Sequence, residues 1–188
     1  MRALSFLVLG LVPACAGTSS VGSGGAAPAP AVATIAPRPE DVGSVDGVLR
    51  AFYEVTNVPP GGPAQWARDR TLYVPWIHFV ALGSGASGRP VATVRTHPEF
   101  VEATEPLVKK GFTEREIFRT TRRYGNMVHV DSTYEILVGT GNPVPSRGVN
   151  SLDLYFDGTR WWVASVVWQS EDAAHPIPLE LLPPRTQR

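Results

Sequence analysis

The residues best suited to acid–base chemistry are His129 and Asp131, which stand two positions apart in a segment with the pattern of a β-strand. Side chains two residues apart in a strand share a face, so the aspartate could orient the imidazole as a general base. The alternative is a solvent-exposed ion cluster with the neighbouring Arg122, which is the more common arrangement of such residues. His129 and Asp131 are therefore weak catalytic candidates, and the sequence assigns no catalytic residue.

Metal, cofactor and nucleic-acid sites have little support in the sequence. The four histidines lack the spacing of metal ligands, and the single cysteine excludes a cysteine-rich zinc site. A glycine-rich stretch at 83–88 lies between two predicted strands and does not begin a helix, unlike a phosphate-binding loop. Because 17 basic residues balance 17 acidic residues, the chain lacks the positive charge that phosphate backbones attract. We expect no metal, no cofactor and no nucleic-acid partner.

The N-terminal residues have the pattern of an export signal. Arg2 precedes an apolar run, residues 3–12, which is shorter than the roughly 20 residues that cross a bilayer but has the length of a signal-peptide core. The segment VPAC at 12–15 resembles the lipobox of bacterial lipoproteins, which implies lipidation of Cys15. The same residues also fit simple cleavage after Ala16 in a soluble periplasmic or secreted protein. Both alternatives predict export, and the first predicts a membrane-anchored lipoprotein facing the periplasm or the cell surface.

Composition divides the chain into four segments. After the signal peptide at 1–15, residues 16–39 are rich in Gly, Ala, Pro and Ser. They predict a disordered tether, because such a segment cannot bury enough apolar surface to order itself. Residues 40–182 contain all but one of the aromatic residues and predict a single folded domain, and 183–188 form a short tail.

Helical signals concentrate in the first half of the predicted domain. Apolar residues at helical spacing follow Ser44, a suitable N-cap, and the pattern ends before the Pro-Pro-Gly-Gly segment at 59–62. A second, short helix is predicted at 63–70. Thr96 and Glu99 match a capping box, which predicts the start of a third helix.

Strand signals fill the remainder of the domain. The predicted strands comprise residues 76–82, 91–95, 114–124, 127–138, 149–156 and 160–171. The last four form two hairpins, because Gly125-Asn126 and Asp157-Gly158 are two-residue turn signals. Helices on one face of a curved antiparallel sheet make an α+β domain.

Two segments resemble the nuclear-transport-factor-2-like superfamily, which includes the SnoaL-like polyketide cyclases and the ketosteroid isomerases. They are RGVNSLDLYFDGTRWWVASVVW at 147–168 and GNMVHVDSTYE at 125–135. The chain is similar to uncharacterised bacterial members with three terminal motifs, here Gly158–Trp162, Trp168–Glu171 and Ile177-Pro178. The resemblance covers residues 43–182. It implies a cystatin-like α+β cone, in which a strongly curved mixed or antiparallel sheet wraps around three helices and leaves a pocket at the open end. It implies the fold more than the function, because this scaffold hosts several activities.

The turn in the first hairpin predicts which side chains share a face. With Gly125-Asn126 as a tight turn, Arg119 pairs with Ser132, and Ile117 pairs with Tyr134. These four residues then lie on a mainly apolar face, which is typical of a ligand cavity. The opposite, ionic face contains His129 and Asp131 and is expected to meet solvent or a second copy of the chain.

The same counting in the second hairpin places Trp161 and Ser165 on its mainly apolar face. A tyrosine of the first helix completes the predicted site. The predicted ligand-binding residues are Tyr53, Arg119, Ser132, Tyr134, Trp161 and Ser165.

The sequence therefore predicts a cell-envelope protein with a small hydrophobic pocket that binds a small apolar or amphipathic molecule. A homodimer formed through the sheet is a further expectation. No Asp or Glu shares the predicted face of Tyr134, which favours binding over catalysis. The first alternative is an enzyme similar to ketosteroid isomerases or dehydratases. The second is a structural or partner-binding module of the envelope. A titratable group buried in the cavity would favour the enzyme, and a cavity packed shut beside an exposed apolar patch would favour the module.

Overall fold

The computed structural model of the protein describes residues 32–85, 87–138 and 146–184. The predicted signal peptide, Cys15 and the first part of the predicted tether lie outside these residues. Among the helices that the structure describes, none is long and apolar enough to cross a membrane.

Helices precede most of the sheet in the chain. The bounds are α1 Pro39–Val42, α2 Val45–Glu54, α3 Trp66–Arg70 and α4 His97–Lys109, with a 3-10 helix at Leu179–Leu181. Helix α2 begins where Ser44 accepts a hydrogen bond from the backbone amide of Gly47 at 3.0 Å. Helix α4 begins at the predicted capping box, in which Glu99 accepts a hydrogen bond from the amide of Thr96 at 2.7 Å.

Six strands form one curved sheet that does not close into a barrel. Their bounds are β1 His78–Ser84, β2 Pro90–Thr96, β3 Phe112–Tyr124, β4 Met127–Val138, β5 Ser146–Phe156 and β6 Trp161–Ser170. The spatial order is β2-β1-β6-β5-β4-β3. All neighbours are antiparallel except β1 and β6, which are parallel, so the sheet is mixed. Both predicted hairpin turns are present, and Gly125 and Gly158 adopt φ of 55° and 100°, which such turns favour.

The main core lies between the inner face of the sheet and helix α2. Val48 and Leu49 of the helix are almost completely buried, as are Val130, Leu152 and Val163 of the central strands. The apolar face of α2 and the alternating apolar positions of the strands thus bury each other, which stabilises the fold by removing apolar surface from water.

A bulge in β3 makes the predicted register wrong for the residues that precede the bulge. Arg119 pairs with Ser132 as expected, but the register shifts between Glu116 and Phe118, so Ile117 is the extra residue. Glu116, not Ile117, therefore lies opposite Tyr134. A bulge moves every residue beyond it to the other face of the strand, so the acidic residues of this half of β3 face inward.

A second bulge in β6 has the same effect on the second hairpin. The register shifts beyond Asp153, and Ala164 becomes the extra residue. Ser165 consequently pairs with Asp153 on the outer face, so its predicted inward position is wrong. Val166 and Trp168 take the inward positions instead.

Candidate functional site

A cavity of about 170 Å³ lies between helices α2 and α4 and the inner face of the sheet. Its walls are mainly aromatic and aliphatic, with few polar groups. The lining residues are Phe52, Thr56, Phe79, Phe100, Thr104, Leu107, Phe112, Glu114, Tyr134, Ile136, Asn150, Val166 and Trp168. An apolar cavity with a few convergent polar groups is the usual form of a small-molecule site.

Contacting aromatic rings form the wall on the side of helix α4. The rings of Phe79 and Phe100 stack with centroids 4.4 Å apart, and Trp168 meets Phe100 edge-on at 6.2 Å. Because these contacts connect α4 to strands β1 and β6, the helix and the sheet fix the positions of the three rings.

Glu114 is the ionisable acid of the cavity, and two anchors hold it there. Its backbone amide donates to the side-chain oxygen of Asn57 at 2.6 Å, and the side-chain amide of Asn57 donates back to the Glu114 carbonyl at 2.9 Å. Its carboxylate oxygen Oε1 accepts a hydrogen bond from Nδ2 of Asn150 at 3.2 Å. The carboxylate therefore has a fixed position beside apolar walls.

A buried hydrogen-bond chain orients Asn150. Ser132 donates to Glu116 at 2.6 Å, which leaves the Ser132 oxygen to accept from the hydroxyl of Tyr53, also at 2.6 Å. The Tyr53 oxygen then accepts from Nδ2 of Asn150 at 3.3 Å. Both Nδ2 hydrogens of Asn150 are thus engaged, one by Tyr53 and one by Glu114.

The apolar surroundings change the acidity of two of these groups. Burial raises the pKa of Glu114 to about 7, although the hydrogen bond from Asn150 opposes the rise. Burial, together with the nearby charge of Glu114, raises the pKa of Tyr53 far above its ordinary value, so this phenol stays neutral. Near neutral pH, Glu114 exists in both protonation states and can accept or donate a proton.

The six predicted ligand-binding residues lie in five different places. Tyr134 lines the cavity. Tyr53 and Ser132 are buried behind its wall, in the chain that orients Asn150. Arg119 lies to one side, where it pairs with Asp46 at 3.0 Å and with Glu116 at 3.5 Å.

The other two predicted residues lie away from the cavity. Trp161 is 5% exposed and packs in the main core against Phe156. Ser165 donates to Asp153 at 2.7 Å on the outer face of the sheet, because of the bulge at Ala164.

His129 and Asp131 also lie on the outer face, where the sequence placed them. Nδ1 of His129 is 2.9 Å from Asp153, and Nε2 is 3.2 Å from Asp131. The hydrogen bond to Asp153 and the adjacent carboxylates raise the pKa of His129, whose side chain is 26% exposed. The trio is a surface ion cluster remote from the cavity.

Sequence reasoning missed Glu114 and Asn150 as cavity residues. The bulge at Ile117 brings Glu114 inward, and β-strand periodicity contains no signal for it. Asn150 lies on the inner face opposite Ser132 and Trp168, and strand alternation from the inward-facing Leu152 would have identified it.

His97 lies in the first turn of α4 and is buried. It is only 2% exposed, and its Nε2 is 2.7 Å from the Asp69 carboxylate, which also accepts a hydrogen bond from Tyr73 at 2.9 Å. The His97 ring packs against Tyr73, which follows α3, and against Phe79 of β1 rather than facing solvent. This buried trio is separate from the residues that line the cavity.

Metal ligation has no support in the described residues, 32–85, 87–138 and 146–184. Among them, no group of three His, Cys, Asp or Glu side chains could hold a metal ion.

No protein-family model and no curated protein matches the chain. Solved structures do match it. A candidate dehydratase of the nuclear-transport-factor-2-like family from Streptomyces avermitilis has a TM-score of 0.51 at 16% identity, over 71% of this chain and 97% of that one. The β subunit of a candidate aromatic-ring-hydroxylating dioxygenase from Novosphingobium aromaticivorans has a TM-score of 0.51 at 13% identity, over 72% and 95% of the two chains.

The chain has the nuclear-transport-factor-2-like fold. The α+β cone that the segments at 125–135 and 147–168 implied is thus confirmed. At these identities the nuclear-transport-factor-2-like fold alone is shared, and the chemistry of the cavity depends on Glu114 and its neighbours.

Proposed function

We propose that the protein binds a small ring compound, mainly apolar, whose one polar group lies against Glu114. The observation that supports this proposal is the uneven distribution of polar groups in the wall of the cavity. Aromatic and aliphatic side chains form most of the wall, and Glu114 with Asn150 forms a polar spot within it. Such a site orients a ligand by its polar group and gains affinity from its apolar body.

The volume of the cavity limits the size of the ligand. An apolar protein cavity of about 150 Å³ accommodates benzene. The cavity here, about 170 Å³, therefore suits a single ring with a short substituent. Larger drug-sized ligands occupy sites of about 300 Å³ or more.

Direct binding measurements with benzyl alcohol, which has one ring and one short polar substituent, test this proposal. Saturable binding followed by tryptophan fluorescence and by calorimetry is expected, since Trp168, one of the five tryptophans, lines the cavity. Thr104→Phe places a bulky group in the cavity and should abolish binding, whereas Ala103→Phe, on the exposed side of the same helix, should leave it intact. Absence of binding to the wild-type chain, or equal binding to Thr104→Phe, would contradict the proposal.

Catalysis is a second candidate function, and Glu114 is the observation that favours it. The predicted register placed no carboxylate near Tyr134, which argued against an enzyme. Glu114 and Tyr134, however, both line the cavity. A carboxylate with a pKa of about 7 suits a general base at neutral pH. This lyase or isomerase hypothesis therefore uses Glu114 instead of His129 and Asp131.

Deuterium exchange into a ring-bearing ketone such as acetophenone tests whether Glu114 acts as a general base. In deuterated buffer, the protein should accelerate exchange of the hydrogens beside the carbonyl, and Glu114→Gln should remove the acceleration. Equal exchange by wild type and Glu114→Gln would exclude Glu114 as the base, while binding of benzyl alcohol would still support the first proposal.

Export and lipid anchoring are part of the proposed function. The support is the apolar run at 3–12, followed by Cys15, the single cysteine of the chain. In a bacterial host, the chain should incorporate labelled palmitate and fractionate with membranes. Cys15→Ala should lose the label and become soluble, while Ser20→Ala should retain both properties. An unlabelled wild-type chain in the soluble exported fraction would favour simple cleavage instead.

A further inference from the structure

We infer that the polar group of the ligand is a protonated amine, which the carboxylate of Glu114 and the aromatic wall select over a neutral or an anionic group. This inference rests on the proposed binding function and adds a ligand class to it. It depends on the hydrogen-bonding capacity left at the polar spot, the charge balance of the cavity and the nature of its walls.

The polar spot at Glu114 and Asn150 offers acceptors rather than donors, whereas the hydroxyls of Thr104 and Tyr134 lie elsewhere in the lining. Both Nδ2 hydrogens of Asn150 are engaged, by Tyr53 and by Glu114. The hydroxyl of Thr56, another lining residue, donates to the Tyr53 carbonyl at 3.3 Å. Asn150 contacts Oε1 of Glu114, and within the described residues no hydrogen bond reaches Oε2. A ligand that donates hydrogen bonds therefore complements this spot better than a carbonyl or a carboxylate does.

The charge of Glu114 is also unbalanced. The neighbouring Glu116 has a cationic partner, Arg119, at 3.5 Å. For Glu114, the described residues provide no salt bridge, and no Lys, Arg or His is among the side chains that line the cavity. A buried carboxylate is costly without a counter-charge, and an ammonium group on the ligand would supply one.

The walls are compatible with a cation. Six uncharged aromatic side chains contribute to the lining, namely Phe52, Phe79, Phe100, Phe112, Tyr134 and Trp168. Aromatic rings attract ammonium groups through their negative faces, and Trp does so most strongly. The same walls bind the apolar ring of an arylalkyl amine, so one small ligand satisfies the whole cavity.

Three probes of similar size and different charge test this inference. Benzylamine, benzyl alcohol and benzoate share the ring and differ in the group that meets Glu114. Calorimetry on the full chain at pH 8, where Glu114 is mainly ionised, should give at least tenfold tighter binding of benzylamine than of benzyl alcohol, with benzoate weakest. Glu114→Gln should bind benzylamine and benzyl alcohol with equal affinity. Glu102→Gln, at an exposed position of α4, should keep the wild-type preference.

The possible outcomes distinguish a failure of the amine preference from a failure of the proposed binding function. If benzyl alcohol or benzoate binds as tightly as benzylamine, the amine preference is wrong and the binding function stands. A benzylamine preference that persists in Glu114→Gln also overturns the inference, because another group would then recognise the cation. If none of the three probes binds, the binding function itself fails.

Discussion

Glu114 on β3 and Asn150 on β5 meet across β4, with the Glu114 carboxylate 3.2 Å from the Asn150 amide nitrogen. Their strands are not neighbours, so the contact depends on the curvature of the sheet and on the bulge that turns Glu114 inward. Tyr53 from helix α2 fixes the orientation of the amide. The site thus combines side chains from three elements that are far apart in the sequence.

The first prediction concerns this hydrogen bond. In Asn150→Ala the Glu114 carboxylate loses a donor that stabilises its charged form, so the pKa of Glu114 should rise further above about 7. Carbon-detected NMR titration of the glutamate carboxyls measures this. Asn126→Ala, at an exposed position, is the matched control and should leave the titration unchanged. An unchanged or lower pKa in Asn150→Ala would show that the amide does not stabilise the charged carboxylate.

The second prediction concerns stability and pH. The pKa of Glu114 is about 7 when folded, against an ordinary value of 4.5, so between these values the folded chain binds more protons than the unfolded chain. The free energy of unfolding should therefore fall as pH rises from about 4.5 through about 7. At about 1.4 kcal/mol per pKa unit, the contribution is at most about 3 kcal/mol.

Glu114→Gln isolates this contribution, because glutamine remains neutral. Relative to wild type, the variant should be more stable at pH 8 than at pH 5, as measured by urea unfolding. Glu102→Gln, on the surface of α4, should show the same difference from wild type at both pH values. A pH-independent effect of Glu114→Gln would mean that Glu114 does not titrate in this range.

The third prediction concerns the buried pair of His97 and Asp69. His97→Ala leaves the Asp69 carboxylate with the hydroxyl of Tyr73 and opens a void, so it should lower the free energy of unfolding by about 3 kcal/mol. His78→Ala, at an exposed position beside the buried Phe79, should change the free energy of unfolding little. A double-mutant cycle with Asp69→Asn should give strongly non-additive losses. Additive losses would show that the 2.7 Å contact contributes no coupling energy.

Local sequence patterns predicted the elements of the fold well. Hairpin turns at Gly125 and Gly158 and the capping box at Thr96 depend on residues close together in the chain, and such signals are visible in a single sequence. The two extra residues at the bulges, Ile117 and Ala164, carry no comparable signal. Each is an ordinary strand residue, and the bulge is decided by packing across the sheet.

The candidate site was less predictable because it depends on those bulges. One shift moved Ser165 to the outer face, and the other brought Glu114 into the cavity. His97 was missed for a related reason, since its partner Asp69 is 28 residues earlier in the chain and has no local pattern. Contacts over such distances follow from tertiary packing rather than from periodicity.

The last prediction concerns Gly148, which lies opposite Tyr134 in the sheet. A Cβ atom at this position would collide with the hydroxyl of Tyr134 and with the backbone carbonyl of Gln169. Gly148→Ala should therefore lower the free energy of unfolding by about 1–3 kcal/mol and weaken the binding of benzyl alcohol, because Tyr134 lines the cavity. Gly83→Ala in β1 is the matched control, since a Cβ there would meet no atom within 4 Å.

The double variant Gly148→Ala with Tyr134→Phe measures the share of the Tyr134 hydroxyl in this collision. Removing the hydroxyl relieves its contact, whereas the clashes with the ring carbon Cζ of residue 134 and with the Gln169 carbonyl remain, so stability should recover in part. Full recovery would assign the whole cost to the Tyr134 hydroxyl, and no recovery would assign it to the ring carbon and the backbone of β6. Either variant that keeps wild-type stability but loses benzyl alcohol binding would show that the position of the Tyr134 ring, rather than the integrity of the sheet, controls access to the cavity.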